Sequence, residues 1–222
     1  MGKAAAPASS NVGPEVARKR GRPRISPHPT ALLLLNTAVE ILDTVSVDRL
    51  TIAAVLERSG VAYGSLYHHY EDFSDLVEQA VVERYSRRVK VSIELVRSLL
   101  TSRDAADFRE RSEALFRESF SPDRHPNRLE RAEALGSLKG RPRLQERLAA
   151  VQQELTDSQA EVLGEAQSRG WVRPDVDVVA VSALIQAVVL GRIVDDVSAH
   201  PVGREAWNAV AMRAVSAVLF PD

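Results

Sequence analysis

Thr51-Ile-Ala-Ala-Val-Leu-Glu-Arg-Ser-Gly-Val-Ala-Tyr-Gly-Ser-Leu-Tyr-His-His-Tyr70 is the stretch that decides the fold. Thr51 suits an N-cap, because its side-chain oxygen accepts a free backbone N–H of the first turn. A short helix follows over Ile52 to Arg58, and Gly60 ends it as a residue that tolerates positive φ. A second short helix spans about Ala62 to Tyr70, after a tight turn at Ser59-Gly60-Val61. Ile52, Val55, Val61, Leu66 and Tyr70 are spaced to pack the pair against a preceding helix. The second helix leaves Tyr63, Gly64, Ser65, Tyr67 and His68 facing outward, with His69 nearby. These are hydrogen-bonding or aromatic groups beside a glycine that permits close backbone approach, a face suited to the major groove of DNA.

Outward from this motif the chain reads as helix throughout. Pro29 suits a first-turn position, and Leu32, Leu35, Val39 and Leu42 recur at helical spacing, which predicts a helix over about 29–45. A fourth helix opens near Ser74, which can cap it, with Asp75 complementing the helix dipole, and runs into the 90s. Further helices are expected at about 104–120, 127–138, 141–169, 175–199 and 203–220. Ser121-Pro122, Gly140-Arg141-Pro142, Gly170 to Pro174 and His200 to Gly203 separate them. Alternating strand patterns are absent. The expectation is an all-α protein of about nine helices: an N-terminal three-helix helix-turn-helix domain over 26–75, then a helical ligand-binding and dimerisation domain over 76–222. Residues 1–25, rich in Ala, Pro, Gly, Ser and Arg with nothing periodic to bury, read as a disordered basic arm.

Composition narrows the function classes. With 222 residues, 45% hydrophobic and 27% charged, the chain is ordinary for a soluble globular protein. It has no cysteine, so thiolate metal sites and disulfides are excluded and a reducing compartment fits easily. The N-terminal residues lack the apolar segment of a signal peptide. The most apolar stretch, Val178 to Leu190, is shorter than the roughly 20 residues of a membrane span and is broken by Ser182 and Gln186. A cytoplasmic protein without a membrane partner is expected. The five histidines, His28, His68, His69, His125 and His200, include no i, i+4 pair. No phosphate-binding loop or nucleophile motif is present, so an enzyme, a metal site and a bound cofactor are not expected.

The net charge of −1 hides an uneven distribution. Residues 1–30 hold six basic side chains against Glu15 alone, and the rest of the chain is mildly acidic. Residues 31–72 carry Arg49 and Arg58 against Glu40, Asp43, Asp48, Glu57, Glu71 and Asp72, an unusual balance for a surface that lies on phosphates.

The motif resembles that of the TetR family of bacterial repressors. The likeness rests on Thr51, Ser59-Gly60-Val61, Gly64-Ser65-Leu66-Tyr67-His68-His69-Tyr70 and Leu76. These match the family's turn, recognition helix and start of helix four in order and spacing. The later Gly170-Trp-Val-Arg-Pro-Asp-Val-Asp177 segment before an apolar penultimate helix fits as well. The resemblance is sharp over about residues 30–80. It implies a homodimeric, ligand-responsive repressor that reads a palindromic operator in double-stranded DNA through Thr51, Tyr63, Gly64, Ser65, Tyr67, His68 and His69. Two positions depart from the family pattern: Ala62 stands where a polar cap for the recognition helix is frequent, and Phe73 where a phosphate-approaching lysine is frequent. Both weaken the expected grip on the DNA backbone.

Lys19-Arg-Gly-Arg-Pro-Arg24 resembles an AT-hook, whose Arg-Gly-Arg-Pro core lies extended in a narrow minor groove. Arg20, Arg22 and Arg24 are the expected contacts. The similar Gly140-Arg-Pro-Arg143 sits between two amphipathic helices and reads as punctuation.

In the second half, Val178–Leu190 is apolar nearly all round and needs cover on several sides. The last helix carries an apolar stripe with small residues at Trp207, Val210, Ala211, Ala214, Val215 and Val218. The family resemblance implies that the last two helices of each subunit form a four-helix interface, to which Ile185, Val189, Trp207, Val210, Ala214 and Val218 are assigned. Phe108, Leu115, Phe116, Phe120, Leu135 and Leu138 are candidates for lining an effector cavity, or are plain core. Ser182 and Gln186 are the polar groups expected to orient an unidentified small-molecule effector, or to cross the dimer interface. Two alternatives carry a different function. One is an architectural A·T-rich DNA-binding protein that uses the arm, with the body only dimerising. The other is an interaction protein whose helix-turn-helix no longer binds DNA.

Overall fold

The computed structural model describes residues 28–221, which form nine α-helices and three short 3-10 turns with no strand among them. The helices are α1 (Pro29–Leu42), α2 (Ile52–Ser59), α3 (Tyr63–His69), α4 (Phe73–Arg97), α5 (Ala105–Glu118), α6 (His125–Gly136), α7 (Pro142–Ser168), α8 (Val178–Asp196) and α9 (Arg204–Leu219). The arm with Arg20, Arg22 and Arg24 lies outside the described residues.

Local chemistry sets most boundaries. Thr51, Asp104 and Asp177 cap α2, α5 and α8 by accepting first-turn N–H groups. Asp72, not Ser74, caps α4, accepting from the Asp75 N–H at 2.8 Å, so the cap lies two residues earlier than expected. Gly60 adopts φ +67° at the end of α2 and Gly140 φ +75° just before α7, whose first residue is Pro142. The second Gly-Arg-Pro-Arg sequence is therefore a helix-to-helix connection.

Two hydrophobic cores run through the molecule. The first joins Leu34, Ala38 and Leu42 of α1, Val55 of α2 and Leu66 of α3 to Leu76, Ala80, Val81 and Tyr85 of α4 and Leu144 and Leu148 of α7. A division at residue 75 cuts through this core, so the small N-terminal head is seated on the two longest helices. Helix α1 turns Leu34, Thr37, Ala38, Val39, Ile41 and Leu42 inward and leaves Leu32 and Leu33 exposed. A run of four leucines does not reveal which of them face the core.

The second core holds Phe108, Phe116 and Phe120 with Val162, Leu163, Val172, Val181, Val215 and Phe220. Helix α8 is 19 residues long and runs past Leu190, where the apolar stretch that the sequence marks out ends. Its Ser182, Gln186 and Arg192 are buried, whereas Leu184 and Val194 are exposed. Its polar groups point into the protein and part of its apolar surface points out.

Candidate nucleic-acid interface and ligand cavity

Helices α2 and α3 are held by their apolar sides. Val55 and Leu66 are fully buried, and Tyr70 is buried with its hydroxyl donating to the Ala31 carbonyl at 2.7 Å. Burial, with the nearby Asp75 charge, pushes the Tyr70 hydroxyl up to about 12, so it stays a protonated donor. The turn is tied by Ser59, whose hydroxyl donates to the Leu56 carbonyl and accepts from the Val61 N–H. Thr51 is exposed and its Oγ1 accepts from the Ala54 N–H at 3.2 Å. Ala62 gives α3 no side-chain cap.

On the opposite side, Tyr63 is 60% exposed and Tyr67 45%. Their rings lie 5.0 Å apart and their hydroxyls are hydrogen-bonded at 2.9 Å. That bond is the main cause that raises the Tyr67 pKa above the ordinary phenol value. Gly64 and His68 are exposed, and Ser65 and His69 half-buried. A methyl group added at Gly64 would meet no atom within 4 Å, so the glycine is not required by packing within the subunit. The His69 ring stacks on His28 at 4.7 Å and meets the His68 ring edge-on at 5.0 Å. Desolvation first, then the charges of His28 and His68, lower its pKa and favour the neutral ring. Thus α3 presents donors, acceptors and aromatic faces with no fixed charge of its own.

The acidic balance of the head changes once the fold is assembled. Glu40 pairs with Arg58, Asp43 with Arg84 of α4, and Glu71 with Arg143 of α7. Asp72 is occupied as a helix cap. Two of the compensating arginines come from elements outside the helix-turn-helix, so counting charges along 31–72 overstates its repulsion for phosphate.

A cavity of about 270 Å³ lies among α4 to α9. Leu115, Phe116 and Gln186 line it. Phe120, Leu135 and Ser182, assigned to the ligand from sequence, lie off its wall, as do Phe108 and Leu138. Phe108 packs on Trp171 and Phe220, and Phe120 on Phe116 and Trp207. The Ser182 hydroxyl is fully buried and spent on the Val178 carbonyl at 2.7 Å. Helix α6 accounts for the misplaced Leu135: it turns Arg128, Glu130 and Ala134 inward and leaves Leu129 half exposed, the reverse of ordinary amphipathic patterning.

Gln186 is the hub of a polar network within the subunit. Its Oε1 accepts from Arg131 at 2.9 Å and from the Gln152 amide, and its Nε2 donates to Gln159 and Thr156 at 2.9 and 3.2 Å. The Tyr85 hydroxyl donates to Gln152 Oε1 at 2.5 Å. Sequence reasoning missed Tyr85, Glu130, Arg131 and Gln152. The available signal was the charged cluster Arg128-Leu-Glu-Arg131, which no purely solvent-facing assignment of α6 explains.

Of the residues assigned to a subunit interface, Val210 is 73% exposed and Ala214 is exposed, whereas Trp207 and Val218 are half-buried against the second core. Ile185 and Val189 face the cavity. The outward face of α8 carries Ala180, Ala183, Leu184, Ala187 and Val194 instead. One residue is a 100° rotation, and a helix apolar on all sides gives no phase from sequence.

Residues 34–80 match the profile of the bacterial regulatory proteins, tetR family. The HTH-type transcriptional regulator UidR of Escherichia coli (strain K12) is 23% identical over 188 residues, which cover 84% of this chain and 91% of that protein. In the crystal structure of a TetR-family transcriptional regulator from Rhodococcus sp., 99% of that chain superposes on 86% of this one, with TM-score 0.62 and 21% identity. The transcriptional regulator FadR from Bacillus subtilis, solved in complex with stearoyl-CoA, matches with TM-score 0.59 and 14% identity over 83% of this chain and 96% of its own. Residues 34–80 thus form a helix-turn-helix that matches the tetR-family profile, set on a helical body with the fold of these regulators.

Proposed function

We propose that this chain is a homodimeric, ligand-responsive repressor that binds a palindromic operator. Residues 1–25 act as a basic arm, 26–75 as the DNA-reading head and 76–222 as the effector-binding and dimerisation body. The observation that carries the reading is the exposed surface of α3. Tyr63, Gly64, Tyr67 and His68 are exposed, with Ser65 half-buried beside them, on a helix whose other side is fixed in the core. Aromatic faces suit thymine methyl groups, and the hydroxyl and imidazole groups suit base edges. Thr51 and His69 flank them toward the sugar-phosphate backbone. Arg20, Arg22 and Arg24 add minor-groove contacts and most of the salt dependence.

Dimerisation is supported by the outward apolar face of α8 and α9, where Leu184, Val194 and Val210 are exposed alongside small residues that allow close helix approach. A twofold axis there sets two copies of α3 to read half-sites about one DNA turn apart. Effector binding is supported by the cavity, and by the ligand held in the Bacillus subtilis relative of the same fold. The effector acts by binding the DNA-competent and DNA-incompetent states unequally. With DNA as its partner, the protein works in the cytoplasm.

The test is selection of sheared genomic DNA on the purified protein at moderate salt, followed by sequencing of what is retained. A shared inverted repeat that is lost with Tyr67→Ala supports the reading. Retention that follows only A·T content would transfer the function to the arm alone, and absence of retention would refute DNA binding.

A further inference from the structure

We infer that the cavity takes a small amphipathic organic anion, its acidic group held at Arg131 and its apolar body lying against Leu99, Phe116, Val162 and Val215. The inference rests on the ligand-responsive reading above and names the class of ligand.

Three observations carry it. First, three residues of the wall carry buried polar atoms that are incompletely partnered. Glu130 Oε1, Arg131 Nε and Ser112 Oγ are each buried without a hydrogen-bond partner, and all three residues line the cavity. An unmade bond of this kind is costly, and a ligand group that supplies it gains what the protein alone forgoes. Second, the charges do not cancel. Glu130, only 8% exposed, already serves two arginines through Oε2, Arg84 at 3.2 Å and Arg88 at 3.4 Å. Arg128 is consumed by Asp196 and by the Ser119 and Ser121 carbonyls. Arg131 has only neutral acceptors, the Gln152 and Gln186 side-chain oxygens, and no carboxylate partner among the described residues. One positive charge is left over beside the cavity, so a monoanion balances it. Glu130 Oε1, an acceptor only, then takes a donor from the ligand, such as a hydroxyl next to the acidic group.

Third, the far side is apolar and the space is small. Leu99, Phe116, Val162 and Val215 are each at least nine-tenths buried and belong to the second core. At about 270 Å³ the cavity sits just below the roughly 300–1,000 Å³ of drug-sized sites. A single chain or ring with one acidic end fits better than a large conjugate.

The experiment compares octanoate, 3-hydroxyoctanoate, octanol and octylamine, each below its micelle concentration. Calorimetry and thermal unfolding are followed on the full chain and on Arg131→Gln, with operator binding measured in parallel. Octanoate is expected to bind at least tenfold more tightly than octanol or octylamine, and 3-hydroxyoctanoate more tightly still. Arg131→Gln should abolish the preference for the anion while leaving octanol unchanged. Because Arg131 belongs to a buried network, Leu163→Trp provides a second test: it fills the apolar side and should remove binding of all four probes while Arg131 stays in place. Octanol or octylamine binding as well as octanoate, no binding of any probe, or an anion preference that survives Arg131→Gln would each overturn the inference. Operator binding that persists in those cases leaves the DNA-binding function standing, whereas its absence in the wild-type protein refutes that reading separately.

Discussion

Replacing Gly64 by alanine separates the stability of α3 from its use. Glycine inside a helix costs about 0.5–1 kcal/mol relative to alanine. The new methyl meets no protein atom within 4 Å, so nothing offsets that gain. Gly64→Ala should therefore raise stability by about 0.5–1 kcal/mol, which for a chain of this size is a Tm increase of roughly 1–4 °C. The same methyl projects from the exposed surface of α3, where the backbone is proposed to approach the groove. Operator affinity should fall at least about tenfold, or about 1.4 kcal/mol. Thermal unfolding gives the first quantity and fluorescence anisotropy on the selected operator gives the second. A stabilised variant with unchanged operator affinity would refute close approach at Gly64. A destabilised variant would refute the open placement of the residue.

Other expectations follow from single contacts. Leu184→Glu places a carboxylate on the outward face of α8 in both copies of a dimer. Sedimentation should then show a monomer with sharply reduced operator affinity, and a persistent dimer would move the interface elsewhere. Glu133 of α6 accepts from the Val47 N–H of the head at 3.0 Å and lies 3.7 Å from Arg84. Glu133→Ala should cost about 1–3 kcal/mol in urea unfolding by leaving that N–H unpaired, and an unchanged midpoint would show that the contact is idle. Burial works against the charge of Asp196, but hydrogen bonds from His125 and Arg128 and the charges of Arg128 and Arg192 hold its carboxyl below the ordinary value. A carboxyl depressed on folding stabilises above its unfolded pKa of about 3.9 and loses that contribution as pH falls through the folded value. Between pH 5 and 2 the stability of the wild-type protein should therefore fall more steeply than that of Asp196→Asn, and equal slopes would contradict the assignment.

The all-α fold and the reading helix are local properties, and the sequence by itself determined them. Thr51, Gly60, Asp104, Gly140 and Pro142 act through their own backbone preferences and nearest neighbours, so their effect is visible in a one-dimensional string. The outward set on α3 was legible for the same reason, because Val55, Leu66 and Tyr70 leave only one side of a short helix free. What the tertiary structure alone decided is the phase of helices whose apolar residues do not fix a face. Helix α8 is apolar all round, so Ile185 and Val189 were indistinguishable from Leu184 and Val194 until neighbouring helices claimed one side of it. Helix α6 runs against its own pattern, turning Arg128 and Glu130 inward, half-burying Arg131 and leaving Leu129 outward. That reversal is tolerable only because Arg84, Arg88, Gln152 and Gln186, distant in sequence, bring opposite charge and hydrogen bonds to the buried groups. The acidity of the head is likewise relieved by Arg84 and Arg143 from outside it. Pairing between remote side chains depends on the assembled fold, and no spacing along the chain encodes it.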